Sequence, residues 1–243
     1  MRAVLLPGSG SDEVFVRRAF AGPLRDLGIE LDAPAPRRGN DVVAGYRSAL
    51  DSALRRAPGL LLVGGISLGA HVAAAWAAQH RAAAGDRLRG LLLALPAWTG
   101  PPGDAPAALT ARATARLVHA GGVDTAVDAA RTGAPPWLAA ELSRSWQGYG
   151  DGLAAALEAA AAEPAPDVSA LRALTVPAGS AALVDDPVHP LAQARHWQRQ
   201  LPHAVLSTTT LAAFGADPEV VGRAAVRRWV RASGTADGQP GRR

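Results

Sequence analysis

The stretch Gly65-Ile66-Ser67-Leu68-Gly69 has the form G-x-S-x-G. This pattern can present a serine hydroxyl as a nucleophile on a sharp turn between a strand and a helix. Small residues are needed two positions to either side of the serine, because strand and helix approach so closely there that a Cβ would clash. The helix that follows aims its first N–H groups at charge developing near the hydroxyl. With 26 glycines in 243 residues, chance alone supplies about 0.12 such matches. The context therefore decides. An apolar run, Leu60-Leu61-Leu62-Val63, precedes the pattern, and a helical stretch from Leu68 to His80 follows it. A second group lies far along the chain in Val184-Asp185-Asp186-Pro187-Val188-His189-Pro190. Here two carboxylates and an imidazole share one turn, and Asp-Asp-Pro is also ordinary turn chemistry. A hydroxyl, an imidazole and a carboxylate are the three groups that nucleophilic acyl transfer requires.

Positioning these groups requires a scaffold, and alternating elements supply one. Ala3–Leu6, Leu60–Val63 and Leu91–Leu95 are continuously apolar, as strands buried on both faces are. Ile29–Leu31 is a further strand candidate, and strand signals return at Val176–Val184 and Ala204–Leu211. Between them Asp12 can cap a helix that continues to Leu27, and Asp41–Arg56 has helical spacing (Val43, Tyr46, Leu50, Leu54) up to Pro58-Gly59. A last amphipathic helix is expected from Pro218 to Val230. The order βαβαβαβ predicts an α/β fold with a mostly parallel sheet covered by helices on both faces. From Trp98 to Asp167 the chain is rich in alanine and helical in period. It is broken at Pro101-Pro102, Gly121-Gly122, Pro135-Pro136 and Pro164–Pro166 and holds no strand candidate. The expected division is a core of residues 1–97 and 168–232, a helical cap insertion at 98–167, and a flexible tail at 233–243.

Together these features resemble the α/β-hydrolase fold superfamily, its esterase-like serine hydrolases in particular. The resemblance begins at what would be that fold's third strand, Ala3–Leu6, so the first two strands are lacking. It implies Ser67 as nucleophile. In the loop after Ala3–Leu6 the family usually reads His-Gly, and here Pro7-Gly8-Ser9-Gly10-Ser11 stands instead. By that match the amides of Ser9 and Leu68 would hold an oxyanion. Gly8-Ser9-Gly10 alone is a weak dinucleotide signature, since the third glycine of G-x-G-x-x-G is missing. The acid of the family sits four residues before a proline after the seventh strand, which selects Asp186, with Asp104 a weaker substitute. The family's histidine follows the last strand, where this chain reads Leu211-Ala212-Ala213-Phe214-Gly215-Ala216-Asp217-Pro218. The usual histidine is missing.

Six histidines stand elsewhere. His71 falls one turn into the nucleophile helix, packed behind the sheet. His80 and His119 read as helix-surface or helix-end residues, and His196 and His203 as solvated. His189 remains as the candidate base. Its loop would lie roughly 10 Å from the nucleophile strand if one strand intervenes. Asp186, three residues before it, would need a tight turn to orient the ring. Two functions stay open: a serine hydrolase cleaving a carboxylic ester or thioester through an acyl-enzyme, or a fold member that has lost its base and binds a small ligand or partner. Trp98, Trp137, Trp146 and Tyr149 either pack the insertion on the core or roof a pocket. Trp98 and Trp146 are the substrate-binding candidates.

Composition removes other classes. There is no cysteine, hence no disulfide scaffold and no thiol catalysis. All 25 basic residues are arginine, so lysine chemistry is excluded. The arginines are scattered without interleaved aromatics, which argues against nucleic acid despite a net charge of +4. The stretch from Gly59 to Gln79 has the length of a membrane span, but its glycine pair and its polar Ser67, His71 and Gln79 read better as strand, turn and helix. The N-terminal apolar run is too short for a signal peptide. A soluble cytoplasmic protein acting on a small molecule is expected, with no metal and no organic cofactor. The arginine and alanine usage suggests a GC-rich bacterial genome.

Overall fold

The computed structural model describes residues 1–56 and 59–237. The turn expected at Pro58 and the tail residues 238–243 lie outside them. Six strands form one sheet: β1 (Arg2–Leu6), β2 (Glu30–Asp32), β3 (Leu61–Ile66), β4 (Leu88–Ala94), β5 (Ala178–Leu183) and β6 (Ala204–Thr209). Their order is β2-β1-β3-β4-β5-β6 and every neighbouring pair is parallel. Each crossover therefore needs a helix on one face of the sheet. Along β1 the buried side chains alternate between faces. Ala3 and Leu5 join one apolar cluster, while Val4 and Leu6 join the other. Burial on both faces explains why the strands read as unbroken apolar runs.

One face is covered by α1 (Glu13–Arg25), α9 (Leu211–Ala216) and α10 (Glu219–Asp237). On the other pack α2 (Val42–Arg56), α3 (Leu68–Ala84) and α8 (Leu191–Gln200). The chain between β4 and β5 holds α4 (Pro106–Gly133), α5 (Pro136–Tyr149), α6 (Leu153–Ala162) and α7 (Val168–Arg172), with no strand. Asp12 caps α1 as expected, accepting from the N–H groups of Val14 and Phe15 at 3.1 and 3.2 Å. Gly121 and Gly122 depart from helical dihedrals, so α4 consists of two helical segments that meet at a kink where the break was expected. Two local differences from the sequence expectation stand out. The stretch after β6, expected as a loop, forms α9, because the Thr210 hydroxyl accepts from the Ala213 N–H at 3.1 Å and starts a helix. The last helix continues to Asp237, past the expected start of the tail at residue 233. No helix among the described residues is long and apolar enough to cross a membrane.

Candidate active site

Ser67 stands between the end of β3 and the first residue of α3, with φ 52° and ψ −114°. For a residue with a Cβ this backbone is strained by roughly 1–3 kcal/mol and must be held by its surroundings. Those surroundings are visible. The Ser67 N–H donates to the Ala94 carbonyl at 2.8 Å, and its own carbonyl accepts from the His71 N–H at 3.1 Å. A Cβ at Gly65 or Gly69 would fall on the Leu6 carbonyl oxygen, so only glycine lets β1 run this close to the turn. Leu95 is the other non-glycine residue at positive φ, 55°, among the described residues. It turns the chain away at the end of β4, beside the elbow, and sequence patterning gave no sign of it.

The Ser67 side chain does not cap its own helix. Its Oγ lies 3.0 Å from His189 Nε2, and His189 Nδ1 lies 2.8 Å from Asp186 Oδ2. One strand, β4, intervenes between β3 and β5, so the loop after β5 faces the elbow across it. The short Asp186–His189 separation works because Asp186 closes the turn itself. Its Oδ1 accepts from the N–H groups of Val188 and His189 at 2.7 and 3.2 Å, leaving Oδ2 for the ring. Burial pushes the Asp186 carboxyl up, but the His189 hydrogen bond, the imidazole's charge and the two backbone N–H groups outweigh it and hold the acid below its ordinary 3.8. A carboxylate only accepts, so Nδ1 carries the ring proton and Nε2 is left to accept from the serine hydroxyl. Asp185 points elsewhere and accepts from the Leu211 N–H at 2.7 Å. Thus the structure brings Ser67, His189 and Asp186 into one hydrogen-bonded line.

The oxyanion candidates flank the same hydroxyl. Leu68 is the first residue of α3, where helix N–H groups have no intrahelical partner. On the other side, a Cβ at Gly8 would stand 3.6 Å from Ser67 Cβ, which puts the Ser9 peptide next to the elbow. The loop turns through Gly10 at φ 67°, closed by the Ser11 N–H to the Gly8 carbonyl at 3.2 Å. That bond does not involve the Ser9 N–H.

The two tryptophan candidates differ. Trp146 covers the oxyanion-side loop: a Cβ at Gly10 would stand 2.7 Å from its Nε1, and that buried N–H has no hydrogen-bond partner. Trp98 has the contacts of a core side chain. Its N–H donates to the Glu163 carbonyl at 3.3 Å, and its ring meets His71 edge-on at 4.5 Å between centroids. His71 is fully buried. Burial, with a smaller contribution from the nearby His189, lowers its pKa to about 3. Neutral there, its Nε2 accepts from the Ala97 N–H at 2.9 Å. His80 pairs with Asp51 and His119 with Glu158 at the surface. His196 and His203 are half-buried. Ser67 itself is 6% exposed. Two surface hollows, of about 570 and 270 Å³, lie on other parts of the molecule, and neither is lined by the three aligned residues. Among the described residues no group of three or more His, Asp and Glu side chains is placed to hold a metal ion.

Similar solved structures identify the fold. An esterase from Thermogutta terrifontis is 21% identical, with a TM-score of 0.68 over 96% of this chain and 90% of its own. The bromoperoxidase from Bacillus anthracis is 13% identical, with a TM-score of 0.68 over 95% and 91%. The esterase RhEst1 from Rhodococcus sp. ECU1013 is 18% identical, with a TM-score of 0.60 over 99% and 91%. No family model matches the chain, and no curated protein matches it in sequence. The chain has the α/β-hydrolase fold.

Proposed function

We propose that this protein is a serine hydrolase that cleaves a carboxylic ester or thioester through an acyl-enzyme. The observation that carries the proposal is the line Ser67 Oγ–His189 Nε2–His189 Nδ1–Asp186 Oδ2, closed at 3.0 and 2.8 Å. Those lengths are within reach for proton transfer without rearrangement. His189 Nε2 takes the hydroxyl proton as Oγ bonds to the carbonyl carbon. The carbonyl electron pair moves onto oxygen, where the N–H groups of Ser9 and Leu68 receive it, each such donor contributing roughly 3 kcal/mol. Collapse of this intermediate expels the alcohol or thiol, protonated by His189. Water, deprotonated by the same imidazole, then releases the acid and restores Ser67. Asp186 stays ionised and holds the ring in the accepting tautomer. The chemistry drawn uses only this chain's side chains, its backbone and water, on a small-molecule substrate.

The small exposure of Ser67 and the Trp146 indole over Gly10 favour a compact acyl group. The alternative, a ligand-holding protein without a base, rested on the histidine lacking after β6. The imidazole of His189, delivered from the β5 loop to 3.0 Å from Ser67 Oγ, favours the hydrolase over that alternative. A fluorophosphonate probe tests the reading: the expected result is one label per chain, on Ser67, at neutral pH, and none on a Ser67→Ala variant. A wild-type chain that takes no label returns the protein to the binding class.

A further inference from the structure

Resting on that hydrolase reading, we propose that α5 acts as a splint for the oxyanion loop, with Arg144, Ser145 and Tyr149 as positioning residues for the Ser9 amide. Three consecutive residues of the loop and its helix cap are each gripped by this one helix. The Ser145 hydroxyl donates to the Gly10 carbonyl at 2.8 Å, and the Tyr149 hydroxyl donates to the Ser11 carbonyl at 2.8 Å. Arg144 forms a fork on Asp12, with Nη1 to Oδ2 at 2.6 Å and Nη2 to Oδ1 at 2.8 Å. Residues 145 and 149 are four apart, so both hydroxyls leave the same face of the helix. Arg144 is itself braced by Glu141, which also pairs with Arg18 of α1 at 2.9 Å. The far end of α5 is fixed as well, for the Trp137 ring packs on Phe214 of α9 with 5.5 Å between centroids.

Orientation is what this grip supplies. A short glycine-containing loop has freely rotating peptide planes unless something fixes them. Holding the Gly10 and Ser11 carbonyls toward α5 fixes the Gly10–Ser11 and Ser11–Asp12 planes; the Ser11 N–H of the first donates to the Gly8 carbonyl, which shares its plane with the Ser9 N–H. The Ser9 N–H is thereby set before substrate arrives, and a preset donor stabilises developing charge without reorganisation. Near Asp12, burial pushes the carboxyl up, but the Arg144 hydrogen bond and charge and the Phe15 and Val14 N–H groups hold it below 3.8. It therefore remains an anion for Arg144 throughout the neutral range.

The test compares wild type, Ser145→Ala/Tyr149→Phe and Arg144→Met. p-Nitrophenyl acetate serves as probe substrate and an aryl trifluoromethyl ketone as transition-state mimic. In the mimic the Ser67 oxygen bonds to the ketone carbon, its proton passes to His189, and the former carbonyl oxygen becomes the anion. The double variant is expected to lose about tenfold in kcat with KM within about twofold, and to bind the ketone about tenfold more weakly. The pH at which activity rises should stay unchanged, because the Ser67–His189–Asp186 line is untouched. Variants whose melting temperature falls while kcat and ketone affinity hold would reduce α5 to a structural role. A change confined to KM would also overturn the proposal. If the double variant does not fold, Tyr149→Phe alone carries the same comparison with about a threefold loss expected. A wild type inert to both probes overturns the hydrolase reading together with this one, whereas an active wild type with unaffected variants overturns this one alone.

Discussion

At position 186 a single carboxylate serves two neighbours, and the two oxygens divide the work. Oδ1 accepts from the backbone of Val188 and His189, while Oδ2 accepts from the His189 ring. Asp186→Asn separates these roles. An amide can still present its oxygen to the backbone, so the turn survives. Its NH2 group then faces Nδ1 and forces the ring proton onto Nε2, where it blocks acceptance from Ser67. Turnover of p-nitrophenyl acetate is expected to fall by about four orders of magnitude with the fold retained. Circular dichroism would check the fold, and a loss of less than tenfold would remove Asp186 from the mechanism. His189→Gln should be at least as damaging, since the base itself is gone. Each residue of this line was a candidate in the sequence: Ser67 from its glycine frame, Asp186 from the resemblance to the family's acid segment, His189 by elimination. What the sequence could not display was the Asx-type closure that lets positions 186 and 189 meet. Hydrogen bonding of a side chain to its own following backbone is a property of dihedrals, not of residue order.

The elements β1, β3 and α3 meet at one crowded corner, where glycine at 69 keeps a side chain off the Leu6 carbonyl. Gly69→Ala pushes a Cβ against the Leu6 and Pro7 backbone, a clash that no flexible side chain can relieve. A loss of about 2–3 kcal/mol is expected, with slower fluorophosphonate labelling as the elbow shifts. Gly148→Ala is the control. That glycine sits within α5 with open space around it, so alanine should raise stability by up to about 1 kcal/mol. Thermal unfolding of both variants measures the contrast, and equal effects would dismiss the crowding argument. The strands were readable because burial on both faces writes itself as unbroken apolar runs. The reading shortened β3, whose last residues, Gly64-Gly65-Ile66, look like the start of a turn. It also passed over α9, a helix too short for periodicity to register. The contacts of α5 with the loop join residues 132 to 138 positions apart. Nothing in a single sequence links partners at that separation, although Ser145 and Tyr149 have the i, i+4 spacing that one helix face requires.

At the scale of the molecule, a neutral imidazole buried between α3 and the chain that leaves β4 couples stability to pH. His71 lies in α3, accepts from Ala97 just past β4, and has the rings of Trp98 and Trp197 against it at 4.5 and 5.6 Å. Its pKa is lowered from 6.5 to about 3. The folded chain therefore excludes a proton that the unfolded chain takes up below 6.5. Linkage then fixes the sign: this contribution is fully present above 6.5 and is lost as pH falls from there toward 3. Asp12 and Asp186 act in a different window. Their lowered values make the contribution of each present above the ordinary 3.8 and lost only below it. Between pH 6.5 and 4.5 the loss due to His71 is thus separable from theirs. His71→Gln offers an amide oxygen to the Ala97 N–H and removes the titrating group. The variant is expected to be less stable than wild type at pH 7.5, for lost ring packing, yet to show a shallower fall in melting temperature from pH 6.5 to 4.5. Proton uptake on unfolding, followed by calorimetry in buffers of different ionisation enthalpy, should drop by up to about one proton per chain at pH 5. Parallel curves for the two proteins would mean that His71 is already charged in the fold, and its Nε2 could then not be the acceptor for the Ala97 N–H.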